Sequence, residues 1–175
     1  GSTEGTMGIS IMMKGLPAAT GSFSSMPTTK VFTDEGRPVE PGSDEVGMIA
    51  AGGNVPLGYH KDETKSAATF RVIDGVRYSF PGDMAKVAAD GSLILLGRGS
   101  NVINSGGEKI FPEEVEEAVK RVAGVIDCLV VGVDDDRFGQ AVNAVVSIEA
   151  DAQVDEATII AEVKTQLASY KAPKR

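Results

Sequence analysis

Residues 97–112 read Gly97-Arg98-Gly99-Ser100-Asn101-Val102-Ile103-Asn104-Ser105-Gly106-Gly107-Glu108-Lys109-Ile110-Phe111-Pro112, and they separate two parts of different character. An arginine stands between two glycines, and a second glycine pair precedes a short β-type run. Pro112 then opens a helix, because proline is well tolerated in a first helical turn. The stretch predicts a boundary close to residues 97–100, with residues 1–96 and 97–175 as two domains.

The part before this stretch is rich in glycine and in short β-type segments. Turn pairs such as Asp74-Gly75 and Asp90-Gly91 separate the segments, which predicts a hairpin at Asp90-Gly91 and a small sheet or barrel overall. One short helix is expected near residues 61–65. The β-type segments are residues 29–32, 46–50, 69–73, 84–87 and 92–96.

The part after the stretch predicts two helices packed on a sheet. Apolar residues recur at helical spacing after Pro112, so one helix face is buried, and Gly124 is expected to end that helix. Residues 125–133 predict a central strand, residues 141–148 predict the next strand, and Asp155 is placed to cap a second helix. The apolar helical positions are Val115, Ala118, Val119 and Val122. The predicted fold class is α+β: a small β-rich subdomain followed by an α+β domain.

Composition excludes several classes of function. The 175 residues carry 25 acidic and 17 basic side chains, and a net charge of −8 argues against nucleic acid and anionic membranes as partners. The single cysteine excludes an internal disulfide. No apolar run approaches the roughly 20 residues of a membrane span, and no signal peptide opens the sequence. We expect a cytoplasmic protein.

Common catalytic patterns are absent from the sequence. It contains neither a Walker lysine loop nor a dinucleotide-binding Gly-x-Gly-x-x-Gly pattern. His60 lies in a polar turn and is interpreted as a solvated surface residue. Cys128 lies within an apolar run, so a buried and inert thiol is expected.

Two shorter segments add candidate binding residues to the stretch at 97–112. Residues 1–5, Gly-Ser-Thr-Glu-Gly, place a hydroxyl and a carboxylate among glycines, as a loop that contacts phosphate and a divalent cation requires. An exposed terminus is the alternative. Residues 80–83, Phe-Pro-Gly-Asp, set a carboxylate after a rigid turn, where it could accept two hydrogen bonds from a diol. A plain turn aspartate is the alternative there.

The order of these segments resembles the adenylate-forming superfamily, which includes acyl-CoA synthetases, luciferases and peptide-synthetase adenylation domains. Residues 97–117 resemble its long hinge motif, and residues 1–5 resemble its Tyr-Gly-x-Thr-Glu loop. Residues 44–49 with Gly58-Tyr59 and the Gly82-Asp83 pair resemble two further motifs. Residues 170–174, Tyr-Lys-Ala-Pro-Lys, resemble the segment before the final motif, so the resemblance covers essentially the whole chain.

The resemblance implies a two-step reaction that uses ATP, Mg²⁺ and coenzyme A. A carboxylic acid, expected to be a fatty acid as in bacterial fatty-acyl-CoA synthetases, first forms an acyl-adenylate. The thiol of coenzyme A then displaces AMP. The resemblance further implies that residues 1–96 are the distal part of a large AMP-binding domain and that residues 97–175 are a mobile C-terminal domain. Whether the full-length enzyme forms a homo-oligomer stays open.

Residue roles follow from the matched motifs. Thr3 would contact the α-phosphate and Glu4 would help to hold Mg²⁺, with Gly1 and Ser2 near the adenine or the acyl group. Asp83 would bind the ribose hydroxyls, with Arg98 beside it. The hinge would lie at Gly99 and Ser100, and the pantetheine channel would be lined by Ser105, Gly106 and Gly107.

Departures from the motifs leave alternatives open. Ser100 replaces the usual hinge Asp or Lys, Asn104-Ser105 replaces Ile-Lys, and Pro81 replaces Thr. The phosphate loop expected before Gly1 and the catalytic lysine expected after Arg175 are not in the sequence, so an inactive fragment of a larger ligase is expected. The acyl group could instead pass to a carrier protein, or the chain could serve as a non-catalytic binding module.

Overall fold

The computed structural model describes residues 1–10 and 21–175, and these divide into two units, Gly1–Leu96 and Gly97–Arg175. Strands dominate both units, and three helices accompany them in the described residues. Strands and helices are segregated along the chain rather than alternating as in parallel-sheet folds. The predicted α+β class is confirmed.

The first unit is built on an eight-stranded sheet in the order β1-β2-β8-β7-β4-β6-β5, with β3 paired to β4. Its core contains Val31, Ile49, Ala85 and Leu93, all nearly inaccessible to solvent. The strands are β1 (Gly8–Ile9), β2 (Ser22–Ser25), β3 (Thr29–Phe32), β4 (Gly47–Ala51), β5 (Phe70–Ile73), β6 (Val76–Ser79), β7 (Asp83–Val87) and β8 (Leu93–Arg98).

Two hairpins of this unit reflect the turn residues of the sequence. The β7–β8 connection contains Asp90-Gly91, as predicted, and its backbone closes through the hydrogen bond from Ala88 N to Ser92 O at 2.9 Å. Asp74 and Gly75 form a second two-residue turn with positive φ angles of 51° and 78°, between β5 and β6. The expected short helix is present as α1 (Glu63–Thr69), which Asp62 caps by accepting a hydrogen bond from Lys65 N.

The second unit packs two helices on a four-stranded antiparallel sheet in the order β10-β9-β12-β11. Its core joins both helices to the sheet through Val115, Val119, Val142 and Val163, each of which is fully buried. The elements are β9 (Ile103–Ser105), β10 (Glu108–Ile110), α2 (Pro112–Lys120), β11 (Val125–Asp135), β12 (Gly139–Ile148) and α3 (Glu156–Gln166). Asp155 caps α3 as predicted, accepting from Thr158 N at 2.8 Å.

Two expectations for this unit are wrong. Residues 125–133 belong to β11, which lies at the end of the four described strands and is not central. Its continuous apolar run misled the prediction, because Leu129, Val131 and Val133 stay exposed while Cys128 and Val130 are buried. Helix α2 ends at Lys120, four residues before Gly124, and residues 121–124 form the turn into β11.

Candidate functional site

The Thr-Glu segment forms a tight turn in the first unit. Ser2 N donates to Gly5 O and Gly5 N donates to Ser2 O, at 2.9 and 3.2 Å, so the turn is closed from both sides. Ser2 Oγ accepts from Glu4 N, and Ser79 Oγ donates to Glu4 O at 3.1 Å. The backbone of Glu4 is therefore fixed both within the turn and to the end of β6.

Both oxygens of the Glu4 carboxylate accept hydrogen bonds. Tyr59 Oη donates to Glu4 Oε1 at 2.5 Å, and Thr3 Oγ1 donates to Oε2 at 2.9 Å. The bond from Tyr59 is the main cause that lowers the pKa of Glu4 to about 2, because hydrogen bonds to the charged form favour it. The same bond raises the pKa of Tyr59, so the phenol keeps its proton and remains a donor.

Tyr59 is itself held by the start of α1. Its backbone N–H donates to Ser66 Oγ at 2.7 Å, and Ser66 Oγ donates in turn to Asp62 O at 2.6 Å. The ammonium of Lys65 lies 4.3 Å from the centre of the Tyr59 ring, and the Phe70 ring lies 5.3 Å from it on centroids. The phenol that reaches Glu4 is thus supported by packing and by hydrogen bonds.

The turn and Asp83 lie at the same end of the sheet. In the antiparallel ladders that β6 and β7 form with β4, Ala51 pairs with Ser79, and Met48 pairs with Met84. Since Asp83 begins β7, the ladder sets it about two residues, or roughly 7 Å, along β4 from the Ala51–Ser79 pair. Gly5 packs against that pair, because a Cβ on Gly5 would lie 3.2 Å from the Ala51 Cβ. Thr3, Glu4 and Asp83 therefore lie at the same end of the sheet.

The predicted hinge residues form an exposed turn. Arg98 is the last residue of β8, and residues 99–101 form a 3₁₀ turn directly after it. Gly99 and Ser100 are both exposed, and Ser100 Oγ donates to Asn101 Oδ1 at 3.1 Å. Just before them, Gly97 has a φ of 122° and packs against the Glu113 carboxylate so closely that a side chain at position 97 would overlap it.

The predicted pantetheine residues form the tip of the β9–β10 hairpin. Ser105 pairs with Glu108, so Gly106 and Gly107 make a two-residue turn with φ angles of 61° and 89°. Positive φ at both positions is the geometry in which glycine avoids strain. Ser105 is buried and also pairs with Gly139 of β12. Apart from its chain neighbours, no residue in the described part of the chain would come within 4 Å of a Cβ at Gly107, so the tip is open there.

An aromatic ring flanked by two cations lies beside this tip. Gly106 N donates to Phe138 O at 2.8 Å, and a Cβ on Gly106 would lie 3.4 Å from the Phe138 ring. The Arg137 guanidinium is 4.9 Å from the ring centre and the Lys174 ammonium is 5.4 Å from it. Asp135 fixes the preceding turn by accepting from Arg137 N and Phe138 N.

The residues at the Thr-Glu turn fit a Mg²⁺ ion that is shared with phosphate. Within residues 1–10 and 21–175, no group of three or more histidine, cysteine or acidic side chains is arranged to hold a metal alone. Mg²⁺ commonly keeps several waters and takes one or two protein carboxylates together with substrate phosphates. The charged, fixed carboxylate of Glu4 supplies one such oxygen ligand.

Several residues that support the site are not predicted by the sequence. Tyr59 enters only as part of a motif, and neither Ser79 nor Phe138 belongs to a predicted site. No periodicity points to them, because Tyr59 and Glu4 are separated by 55 positions and meet only in the folded sheet. The structure agrees with the interpretation of His60 as a surface residue and of Cys128 as a buried, inert thiol. His60 is exposed, and burial raises the pKa of the Cys128 thiol to about 11.

Comparison with known proteins identifies the class. Residues 114–175 match the AMP-binding enzyme C-terminal domain. The chain is 51% identical over 176 residues to 3-oxocholest-4-en-26-oate–CoA ligase of Rhodococcus rhodochrous, covering 99% of this chain and 32% of that protein. It is 52% identical, with the same coverage, to a medium/long-chain-fatty-acid–CoA/3-oxocholest-4-en-26-oate–CoA ligase of Mycolicibacterium smegmatis.

Solved structures give the same class. Apo MatB from Rhodopseudomonas palustris superposes with a TM-score of 0.78 at 31% identity, over 99% of this chain and 34% of that one. The o-succinylbenzoate CoA synthetase of Bacillus subtilis, solved with its acyl-adenylate intermediate, superposes with a TM-score of 0.73 at 30% identity. The match covers 90% of this chain and 31% of that one.

The chain contains the C-terminal domain of the AMP-binding, adenylate-forming enzymes. Its high-identity relatives are acyl-CoA ligases. The chain spans about a third of the length of these curated relatives. None of the described helices is long and apolar enough to cross a membrane.

Proposed function

We propose that the protein carrying this chain uses ATP to activate a carboxylic acid and transfers the acyl group to coenzyme A. The observation that carries this proposal is the fixed, charged carboxylate of Glu4 beside the Thr3 hydroxyl, at the sheet edge where Asp83 begins β7. The acyl-CoA ligases that match almost the whole chain support the same reaction.

In the first step, a carboxylate oxygen of the acid attacks the α-phosphorus of ATP. The bond from that phosphorus to the bridging oxygen breaks, and pyrophosphate leaves with the electron pair. Asp83 accepts hydrogen bonds from the two ribose hydroxyls and so positions the α-phosphate. Gly1 and Ser2 contact the adenine or the acyl group, and Arg98 of the C-terminal domain also binds the nucleotide.

Thr3 and Glu4 have coupled roles in this step. A threonine hydroxyl has one hydrogen, so Thr3 cannot donate to Glu4 Oε2 and to a phosphate at the same time. When Thr3 turns to the α-phosphate, it leaves Oε2 without that donor and open to a cation. Glu4 would hold Mg²⁺ at this oxygen, and the ion would supply positive charge that offsets the charge developing on the phosphates.

In the second step, the thiolate sulfur of coenzyme A attacks the acyl carbonyl carbon, and the bond from that carbon to the AMP oxygen breaks. The tip of the β9–β10 hairpin, at Ser105, Gly106 and Gly107, admits the pantetheine, because side chains at the two glycines would obstruct it. The Phe138 ring with Arg137 and Lys174 beside it suits a base and phosphate groups. The hinge at Gly99 and Ser100 lets the C-terminal domain change position between the steps.

The proposed substrate is a hydrophobic acid, a fatty acid or a steroid side-chain acid, because the relatives at about 50% identity are named for such acids. The reaction is proposed to take place in the cytoplasm.

The test is AMP release from ATP with a panel of fatty, steroid and aromatic acids, with coenzyme A and with a phosphopantetheine carrier as separate acceptors. We expect acyl-CoA as the product. Asp83→Ala should lower AMP release at least tenfold, whereas Asp44→Ala, which changes an exposed carboxylate of the same unit, should not. Unchanged AMP release by Asp83→Ala would show that its assignment is wrong. If the acyl group is transferred to the carrier and not to coenzyme A, the carrier protein is the acceptor and the proposal of coenzyme A is wrong.

A further inference from the structure

We infer that Tyr59 is a positioning residue for the metal ligand Glu4: its phenol holds Oε1 and thereby leaves Oε2 as the oxygen that receives the cation. This inference rests on the proposed function for the identity of the cation. It assigns a role in the reaction to a residue for which the matched motifs give none.

The two oxygens of Glu4 differ in how firmly they are held. Oε1 accepts from the Tyr59 phenol, whose ring is packed against Phe70 and whose backbone is tied to Ser66. Oε2 accepts from the neighbouring Thr3, an exposed residue whose hydroxyl can rotate away. An arriving cation therefore meets one oxygen that is fixed in place and one whose donor is easily exchanged.

Helix α1 is the support for this arrangement. Asp62 caps the helix with its carboxylate and receives the Ser66 hydroxyl at its carbonyl oxygen, so Ser66 can accept from Tyr59 N. A Cβ at Gly58 would lie only 2.9 Å from Ser66 Oγ. Glycine at position 58 therefore leaves room for the Ser66 hydroxyl to accept from Tyr59 N. The helix places one phenol at the Thr-Glu turn from a distant part of the sequence.

The hydroxyl of Tyr59 is required to orient Glu4, because it is the donor of the hydrogen bond to Oε1 and an unsubstituted phenyl ring has no such donor. Carboxylate ligands of metals are commonly oriented by hydrogen bonds from residues that do not touch the metal, and loss of such partners typically weakens metal binding tenfold or more. Because Glu4 is only partly buried, we expect a smaller effect here.

The first experiment measures the Mg²⁺ dependence of AMP release at saturating acid and ATP. Tyr59→Phe should raise the Mg²⁺ concentration for half-maximal rate about three- to tenfold and leave kcat at saturating Mg²⁺ within about twofold. Tyr78→Phe is the matched control, because Tyr78 is in the same unit and packs on Phe32 and Phe80 away from Glu4. In a Glu4→Gln background, Tyr59→Phe should have no further effect.

A second readout needs no enzymatic activity. On the 175-residue chain, Mn²⁺ alone should broaden the amide NMR signals of residues 3–5, and Tyr59→Phe should shift this broadening to several-fold higher Mn²⁺, while Glu4→Gln abolishes it. Equal broadening in wild type and Tyr59→Phe, or an effect of Tyr59→Phe that persists with Glu4→Gln, would overturn the inference. Failure of every acid to release AMP, with the Mn²⁺ difference intact, would overturn the proposed function and leave the role of Tyr59 standing.

Discussion

The ammonium of Lys171 lies 2.6 Å from the Glu114 carboxylate, and this contact ties the C-terminal segment to the first turn of α2. Both side chains are more than four-fifths buried. Breaking such a pair costs more than breaking one at the surface, because the remaining charge stays poorly solvated. We expect Lys171→Met to lower the free energy of unfolding by about 2 kcal/mol, measured by urea denaturation.

A matched control for that prediction lies in the other unit. Lys86 contacts Asp44 at 3.1 Å, but the Asp44 side chain is fully exposed. Lys86→Met should therefore leave the urea midpoint unchanged within error. An equal decrease in the free energy of unfolding of the two variants would mean that burial of the Lys171–Glu114 pair does not affect stability.

Acid titration should reveal the environment of Glu4. Its pKa is lowered to about 2 in the folded chain, compared with an ordinary value of 4.5. A lowered folded pKa contributes stability above the unfolded pKa, and this contribution is lost as the pH falls from about 4.5 to about 2. Wild type should thus exceed Glu4→Gln in stability at pH 7, and the two should converge near pH 2. A difference that is constant across this range contradicts the assignment.

The Cys128 thiol should resist chemical modification. Burial raises its pKa to about 11, so little thiolate forms at neutral pH and reagents have poor access. We expect reaction with Ellman's reagent to follow unfolding, with no fast phase in native chain. Ser147→Cys, at an exposed position of β12, supplies the comparison and should react at once. Fast labelling of the native wild type would show that β11 opens readily.

The glycine tip allows effects on folding and on thiol transfer to be separated. Gly107 and Gly75 both lie in two-residue turns with φ near 80–90° and with open space around them. Alanine at either position should cost about 1 kcal/mol through backbone strain alone. Only Gly107→Ala should slow acyl transfer to coenzyme A, measured by single turnover from preformed acyl-adenylate. Equal transfer rates in the two variants would argue against a pantetheine channel at the tip.

Local features of the fold could be predicted from the sequence because they depend on nearby residues. The Asp90-Gly91 hairpin, the short helix and the Asp155 cap follow from turn and capping chemistry within a few positions. Position in a sheet is decided by distant partners. The apolar run at 125–133 therefore suggested a central strand, although β12 covers β11 on one side only among the described strands.

In the candidate site too, the sequence predicts the features that depend on nearby residues and misses those that depend on distant ones. Motif order points to Thr3, Glu4 and Asp83, because these lie in short recognisable segments. It cannot show which donor orients Glu4, since four described strands separate the Tyr59 phenol from Glu4 along the chain. It also cannot show that the Thr3 hydroxyl is donated to Glu4, because a hydroxyl direction depends on the neighbours present after folding.

Acidic side chains accept hydrogen bonds from backbone N–H groups along the outer edge of β11. Cys128 N donates to Asp127 Oδ1 and Val130 N donates to Glu116 Oε1, so carboxylates occupy two backbone donors that a further strand would need. Leu129, Val131 and Val133 are exposed along the same strand. Loss of either carboxylate would free a backbone donor and reduce the repulsion between molecules. Replacing Asp127 and Glu116 should therefore convert a protected sheet edge into one that templates strand addition and polymerisation of the chain.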